Sequence, residues 1–238
     1  MTAFGRPRRH FRLVGSTNDI GRELALAGAS SGTVVTADEQ TSGRGRTGRR
    51  WSAPAGAALL TSAILRPLGE PHALLPLAVP LAVCEAIESL APVDCDVKWP
   101  NDVWIEARKV AGILIEARPP DWAVIGVGVN LSIPEDAFPD DLRWPATSVG
   151  HGVGPEAMLD ALCRHLDRWV AAHDEVLEAF AGRDALRGRR IGWEGAGGGT
   201  AFGEGVAAGI DERGNLLVET QEGESISLGA GEVQLALS

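Results

Sequence analysis

The chain has 238 residues, 45% of them hydrophobic, which is enough to bury a core in one large domain or in a large and a small one. Its formal net charge of −10 disfavours nucleic acid as the main partner, because phosphate neutralisation by Lys and Arg supplies most non-specific affinity. The longest apolar run, residues 74–84, contains two prolines and falls short of the roughly 20 residues that span a bilayer, so no membrane partner is expected.

Two further features predict a cytoplasmic location. The N-terminal residues are basic, but no apolar segment follows them, so the sequence predicts no secretory signal. Cys84, Cys95 and Cys163 lack metal-ligand spacing, and their odd number is typical of small core side chains in a reducing compartment. No zinc site is therefore expected.

The first predicted helix begins at residues 16–19. Ser16, Thr17 and Asn18 are preferred N-cap residues, and apolar residues then recur at helical spacing until Gly28. From the residues alone, a purely structural capping role and a ligand-binding role are about equally favoured.

A β-branched strand at residues 33–37 leads into an arginine-rich loop at residues 39–51. Three glycines and four arginines fall between Gly43 and Arg50, so the loop is dense in hydrogen-bond donors and is suited to closing on an anion. A solvated basic loop is the alternative.

The middle of the chain alternates strands with one helix. Residues 81–90 are predicted to be helical, with Pro80 near the first turn. Strands are predicted at residues 57–65, 97–99, 103–105 and 110–117, the last two forming a hairpin.

Lysine is almost absent from this chain: of 22 Lys and Arg residues, only Lys98 and Lys109 are lysine. An ammonium is a compact point charge whereas a guanidinium is a planar fork, so a lysine kept here suggests a site where the fork does not fit. Pro100 forces an abrupt turn after the first lysine and presents Asn101 and Asp102 together, although a simple turn is the alternative.

The strand predicted at residues 123–131 has an unusual face. Val124, Gly126, Gly128 and Asn130 share one side of it, and glycine weakens a strand. Two glycines followed by an amide favour close approach of a flat ligand, with a bulge or an approaching backbone as the alternative.

The last third of the chain changes character twice. A Pro- and Asp-rich stretch at residues 134–149 precedes one long helix, or a broken pair, at residues 156–180, with His165 and His173 interpreted as solvent-side. From Gly188 a Gly-rich region predicts a small β barrel, with strands at residues 205–210, 216–220, 225–228 and 233–237 and a flexible loop at 195–199. The predicted domains are residues 1–187 and 188–238.

Five motifs together resemble those of the biotin protein ligase family. They are GSTND at 15–19, EQTSGRGRTGRRW at 39–51, KWPND at 98–102, KVAGIL at 109–114 and GVGVNL at 126–131. The resemblance extends to GEGVAAGIDERGNL and GAGEV near the C-terminus, which look like that family's SH3-like cap. Lipoate ligases share the catalytic fold, but are not expected to combine GRGRxGR with KWPND.

The resemblance implies an α+β fold, in which a mixed β-sheet with packed helices, like the catalytic domain of class II aminoacyl-tRNA synthetases, precedes a small SH3-like β barrel. It also implies an amide-forming ligase. Such an enzyme uses MgATP to activate biotin as biotinyl-5′-AMP and transfers biotin to a lysine of a biotin carboxyl carrier domain in acyl-CoA or pyruvate carboxylases.

The resemblance also implies roles for individual residues. Those implied for biotin binding are Ser16, Thr17, Asn18, Gln40, Gly43, Arg44, Gly45, Arg46, Lys109 and Gly112. Those implied for ATP and the adenylate are Trp51, Lys98, Asn101, Gly128 and Asn130. Lys109, Arg46 and Lys98 are the implied catalytic residues, and Asp102 is the implied Mg²⁺ ligand.

Two other functions are alternatives to the ligase. A lipoate or octanoyl transferase is the alternative enzyme, and an effector-binding transcriptional regulator is the alternative from another class. Fifteen residues precede Ser16, too few for the helix-turn-helix domain of the family's repressors, so no DNA partner is expected. We expect the segment after Gly188 to cap the site rather than form it.

Overall fold

The structure is a computed structural model that describes residues 3–139, 142, 144–150, 152–194, 202–229 and 232–235. Two β-sheets organise the chain. The first has seven strands in the order β1-β2-β3-β7-β6-β5-β4: β1 (Arg8–Val14), β2 (Val34–Gln40), β3 (Ala58–Leu65), β4 (Asp96–Lys98), β5 (Asp102–Ile105), β6 (Arg108–Arg118) and β7 (Trp122–Asn130). Only the β1–β2 pair is parallel, so this sheet is mixed, as predicted.

Strand β1 was not predicted. It lies at the edge of the sheet, and Arg8, Arg9 and His10 at its start are exposed, so it lacks the alternation of apolar and polar residues by which strands are recognised. Its pairing with β2 comes from the backbone rather than from a buried face.

Helices cover the two faces of the sheet unequally. The α-helices of the described residues are α1 (Thr17–Leu26), α2 (Leu75–Glu88), α3 (Pro155–Ala171) and α4 (Val176–Ala181). Helix α1 packs on one face, where Ala25, Ile64 and Val124 form a small cluster. The other face belongs to the main core beneath α2 and α3, which includes Ala63 and Ile125. Neighbouring residues along β3 and β7 point to opposite faces of the sheet. Helix α1 covers only part of its face, and much of that face is left for a site.

Helix α2 begins earlier than predicted. It starts at Leu75 with Pro76 in its first turn, and Pro80 lies inside it rather than near its start. An internal proline removes a helical hydrogen bond, but this helix is buried on almost every side and is stabilised by packing.

By length and composition, Glu70–Glu88 is the one described helical segment that could cross a bilayer, with a mean hydropathy of 1.3. Of its apolar window, 61% is buried inside the protein, as in the core helix of a globular domain.

The predicted helix at residues 156–180 is a broken pair. A 3-10 turn at His173–Glu175 separates α3 from α4. The side chain of His173 is 41% exposed, but that of His165 is only 24% exposed and its Nδ1 lies 2.9 Å from Glu85 Oε2 on α2. The solvent-side interpretation of His165 was therefore wrong, because α2 packs against this side of α3.

The second sheet is antiparallel, with five strands in the order β11-β10-β9-β8-β12: β8 (Arg190–Glu194), β9 (Phe202–Ile210), β10 (Leu216–Thr220), β11 (Ser225–Leu228) and β12 (Glu232–Leu235). The fold class is confirmed. Strand β8 was not predicted and β9 begins earlier than expected. The predicted loop at 195–199 and the strand end at 236–237 lie outside the described residues, and the boundary at residue 188 stays a prediction.

The two sheets meet at the turn between β9 and β10. The indole nitrogen of Trp99 donates a hydrogen bond of 3.1 Å to the carbonyl of Gly214 in this turn. A side chain at Gly214 would come within 3.1 Å of Leu77 on α2, so glycine allows the close approach. The second sheet is thus fixed to the strand that carries Lys98.

Candidate active site

One cavity of about 260 Å³ opens on the α1 face of the seven-stranded sheet. Its described walls come from the start of α1, the segment 40–52, strands β3–β7 with the turn after β4, residues 138, 139, 142, 144 and 146, and strand β12. Every predicted site residue except Gly43 lines it. The structure therefore brings together motifs that are up to about a hundred residues apart in the sequence.

The start of α1 forms a polar end of the cavity. Ser16 takes the N-cap position, but its side chain makes no capping hydrogen bond. Thr17 donates its backbone N–H to Gln40 Oε1 at 2.7 Å, which orients the Gln40 amide. Ser16, Thr17 and Asn18 are 2%, 4% and 4% exposed, so these polar side chains are buried at the cavity rather than used as an exposed helix cap.

The Asn18 amide is fixed in one orientation. Its Nδ2 donates to the Leu114 carbonyl at 3.2 Å and to Glu116 Oε2 at 3.0 Å, which uses both amide protons. Its Oδ1 accepts a hydrogen bond of 2.6 Å from Ser62 Oγ and keeps a second lone pair. Asn18 can thus accept one more hydrogen bond, but it cannot donate one.

Side chains of this protein, rather than a ligand, fill the space above the β7 glycines. A side chain at Gly126 would come within 2.1 Å of Asn18 Oδ1, and one at Gly128 within 2.5 Å of the Trp51 ring. The predicted face is correct, but the flat group that approaches the strand at Gly128 is the Trp51 indole. Glycine is required there for that approach.

Gly126→Ala should therefore disturb the Asn18 end of the cavity. A methyl group would overlap the Asn18 amide, so Asn18 must lose its bonds to β6 or to Ser62. We expect affinity for the ligand of this end to fall about tenfold or more. Gly192→Ala on β8 is the control, because its nearest contact would be an ordinary 3.7 Å. Calorimetric titration of the parent chain and both variants with biotin, the ligand that the resemblance implies for this end, would check this. Equal affinity of Gly126→Ala and the parent chain would contradict it.

The arginine-rich loop forms a compact hairpin. Trp51 donates its backbone N–H to the Gly43 carbonyl at 3.0 Å, and Gly45 donates to the Arg49 carbonyl at 2.7 Å. A side chain at Gly43 would come within 2.3 Å of the Trp51 carbonyl oxygen, so this glycine closes the hairpin and does not line the cavity. The hairpin holds the Arg46 side chain at the cavity wall.

A β-bulge directs Lys109 into the cavity. Gly112 on β6 pairs with Asp102 on β5, but two residues further along β5 the partner is Lys109, three residues back along β6. The extra residue turns Lys109 onto the face that Gly112 occupies, whereas a regular strand would point it the other way. Lys109 Nζ then lies 2.6 Å from Asp102 Oδ1 and 5.6 Å from the centre of the Trp51 ring.

Positive charge dominates the middle of the cavity. Its described lining contains four arginines and two lysines but a single carboxylate, Asp102. Lys98 is 4% exposed, and burial lowers its pKa to about 8 despite the nearby charge of Asp102. Burial also lowers the pKa of Arg46. A cavity with this charge is suited to an anion that carries several negative charges.

Asp102 does not fit a metal site held by the protein. No group of three or more His, Cys, Asp or Glu side chains with metal-binding geometry occurs among the described residues. Asp102 Oδ1 is buried and lies against Lys109 Nζ without hydrogen-bond geometry, so the contact is an ion pair. Its carboxylate is thus already engaged by a lysine, and the predicted Mg²⁺ role stays a prediction.

The two predicted asparagines have structural bonds as well as a place on the cavity wall. Asn101 lies in the turn after the cis peptide Trp99–Pro100, and its Nδ2 donates to the Ile113 carbonyl at 2.9 Å. Asn130 Nδ2 donates to the Thr147 carbonyl at 3.0 Å. Each amide ties a neighbouring segment to the sheet through one N–H, which leaves its Oδ1 and its second N–H as the groups available to a ligand.

Sequence reasoning missed the apolar side of the cavity. This side comes from the Pro- and Asp-rich stretch, through Phe138, Leu142 and Trp144. The centre of the Trp144 ring lies 5.2 Å from Lys98 Nζ. The available signal was a set of large apolar residues in an otherwise polar stretch. Val233 of β12 also lines the cavity, so the C-terminal sheet contributes to the site, contrary to the expectation that it only caps it.

Comparison with known proteins identifies the family of this chain. Residues 10–130 match the model of the biotin/lipoate A/B protein ligase family, and residues 188–236 match the biotin protein ligase C-terminal domain. The chain belongs to the biotin protein ligase family. This biotin protein ligase is 37% identical over 231 residues to the biotin–acetyl-CoA-carboxylase ligase of Paracoccus denitrificans, covering 89% of this chain and 93% of that protein.

Two further relatives of this ligase support the assignment. The biotin–acetyl-CoA-carboxylase ligase of Mycobacterium tuberculosis is 34% identical over 235 residues, covering 92% of this chain and 85% of the relative. The biotin protein ligase of Aquifex aeolicus in complex with biotin and ATP superposes with a TM-score of 0.82 at 27% identity, covering 98% of this chain and 100% of that one.

Proposed function

We propose that this chain is an ATP-dependent ligase that activates biotin as biotinyl-5′-AMP and transfers it to one lysine of a carrier domain in acyl-CoA or pyruvate carboxylases. The observation that carries the proposal is the cavity itself, where six cationic side chains and one carboxylate lie beside a buried polar end. Relatives named biotin–acetyl-CoA-carboxylase ligases and a structural neighbour that holds biotin and ATP support it.

The buried polar end is suited to the cyclic urea of biotin. A urea presents N–H donors and a carbonyl acceptor, and Asn18 Oδ1 can accept from one N–H. Ser16, Thr17 and Gln40 supply further polar groups next to it. A ring without these groups would leave the buried side chains unpaired, which is the strongest form of discrimination available to a small site.

The cationic middle is suited to the activation step. One oxygen of the biotin carboxylate attacks the α-phosphorus of ATP, and pyrophosphate leaves. Negative charge then concentrates on two groups a few ångströms apart, which fixed cations stabilise without reorganising. Lys109 lines the cavity beside Asp102 and can contact both groups, Arg46 lines the same cavity, and Lys98 is the more buried of the two lysines.

The transfer step needs no nucleophile from this chain. The amine of the carrier lysine attacks the acyl carbon of the adenylate, an amide bond forms and AMP leaves. Cys84, Cys95 and Cys163 are buried and none lines the described cavity, so they serve packing rather than covalent catalysis.

Asn101, Asn130, Gly128 and Trp51 are proposed for the nucleotide side of the cavity. Both asparagines line the cavity, and the Trp51 ring lies against Gly128. Trp51 also borders Gly112, so it contacts the acyl side and the nucleotide side together.

One assay tests the function and its main alternative. Labelled biotin, ATP and an apo carrier domain should give acid-stable label on the carrier, while lipoate and octanoate should give little. Label from lipoate or octanoate in place of biotin would instead assign the chain to the transferase alternative. Absence of label from every acid would reject both.

The rate should fall as pH rises above about 8. Lys98 must be protonated to neutralise the nucleotide, and its pKa in the free protein is about 8. A lowered lysine pKa means that the charge is present below that pH and lost above it. We expect kcat/KM for ATP to fall about tenfold between pH 7 and pH 9. Residual activity of Lys98→Arg should not show this fall, since arginine stays charged.

We also propose a cytoplasmic location with no DNA partner. The free, buried cysteines and the net charge of −10 support this. Cell fractionation and a gel-shift titration at low salt would test the two parts, and secretion or tight DNA binding would contradict them.

A further inference from the structure

Glu116 connects the polar end of the cavity to the arginine-rich hairpin. It lies on β6 two residues beyond Leu114, and its side chain is 26% exposed. One oxygen, Oε2, accepts a hydrogen bond of 3.0 Å from Asn18 Nδ2 and forms a short ion pair with Arg44 Nη2. Glu116 does not line the cavity itself. It acts on a ligand only through these two neighbours.

The Arg44 side chain is held between β6 and α1. Besides Glu116, its Nη2 lies 3.3 Å from Asp19 Oδ1, and Asp19 also contacts Arg22 at 3.2 Å. The Arg44 Nε atom is buried and has no hydrogen-bond partner within the described part of the chain. The anchored guanidinium therefore keeps one buried donor that a ligand oxygen can satisfy.

We propose that Glu116 is a positioning residue that couples recognition of the biotin ring to placement of the arginine-rich hairpin. The inference rests on the proposed function and extends it to a residue outside the predicted site. Through Asn18, Glu116 keeps Oδ1 turned toward the ligand. Through Arg44, it holds the hairpin against the sheet. Arg46 is then already placed to meet the biotin carboxylate when biotin binds.

The charge of Glu116 is the decisive property. A carboxylate is a pure acceptor, so it suits the two donors that meet at Oε2. A hydrogen bond to a charged group is worth more than a neutral one, and the Glu116–Arg44 contact is partly shielded from water. Without the charge, an amide oxygen at this position can still accept from Arg44, but the bond is weaker, and Asp19 is then the carboxylate that the described part of the chain places beside the Arg44 guanidinium.

The variant Glu116→Gln removes the charge and keeps the shape. We expect KM for biotin to rise about tenfold to a hundredfold, while KM for ATP and the melting temperature change little. Trypsin should also cut within residues 41–50 faster than in the parent chain, because the ion pair that anchors the hairpin is weakened to a neutral-acceptor hydrogen bond. These readouts separate positioning from a general loss of structure.

Asp19→Asn is the matched control. It removes another carboxylate from Arg44 but leaves the Asn18 amide untouched, so KM for biotin should rise about threefold at most, as for an exposed ion pair. Equal effects of the two substitutions would overturn the coupling through Asn18.

Two other results would also overturn the inference. The first is unchanged biotin KM and unchanged cleavage in Glu116→Gln when the parent chain is active. The second is a rise in KM for both biotin and ATP together with a fall in melting temperature. That result would mean that Glu116 only supports the fold. A parent chain that forms no biotinyl adenylate would overturn the proposed function together with this inference, so the two failures are distinguishable.

Discussion

Lys109→Arg is expected to reduce adenylate formation almost as strongly as Lys109→Ala. The ammonium lies 2.6 Å from Asp102, with the Trp51 ring 5.6 Å away, in a space that the β-bulge opens for one compact charge. A guanidinium keeps the charge, but its longer planar fork cannot meet the biotin carboxylate and the α-phosphate from the same place. Losing a charged contact made in the transition state costs roughly 3 to 4 kcal/mol, or about two to three powers of ten in rate.

Pyrophosphate exchange and biotin binding, measured on the same samples, would check the Lys109 prediction. Lys98→Arg is the comparison, because Lys98 lies deeper in the cavity between Trp104 and Trp144. It should lose ATP-dependent turnover while keeping most of its biotin affinity. Near-normal exchange in Lys109→Arg would show that the geometry of the ammonium is not what the reaction requires.

The regular part of the fold followed from local pattern. Strands β3 and β7 were predicted because they are long, β-branched and apolar, and α1 because capping residues precede an apolar repeat. Strand β1 and the start of α2 were missed for the opposite reason. The exposed arginines of β1 do not give the apolar alternation of a strand, and two prolines argue against a helix at the start of α2. Strand pairing in the first case and burial in the second outweigh these local preferences.

The site was predicted as a set of residues but not as a geometry. Motif resemblance named the residues, and nearly all of them line one cavity. The bulge that turns Lys109 inward, the hydrogen bond that Asn18 donates to Glu116 and the position of Trp51 depend on which strands pair and in what register. A single sequence does not contain that information locally, because these contacts join positions far apart in the chain.

Asp102 is the residue for which the sequence and the structure give different roles. The resemblance implies a Mg²⁺ ligand, whereas the structure shows a buried carboxylate that pairs with Lys109 and raises the pKa of Lys98. A Mg²⁺ site needs one or two free carboxylates in addition to the phosphates, and this carboxylate is engaged. A role in holding the two lysines therefore fits the structure better than a role as a Mg²⁺ ligand.

Asp102→Asn separates the two roles. If Asp102 holds the lysines, removing its charge leaves the buried Lys98 and the Lys109 ammonium without this carboxylate, so adenylate formation should fall by about two powers of ten. The pKa of Lys98 should drop further, because Asp102 raises it, and activity should then be lost at a lower pH than in the parent chain. The Mg²⁺ concentration for half-maximal rate should stay the same. A marked rise in that concentration, or rescue by Mn²⁺, would instead identify Asp102 as the metal ligand.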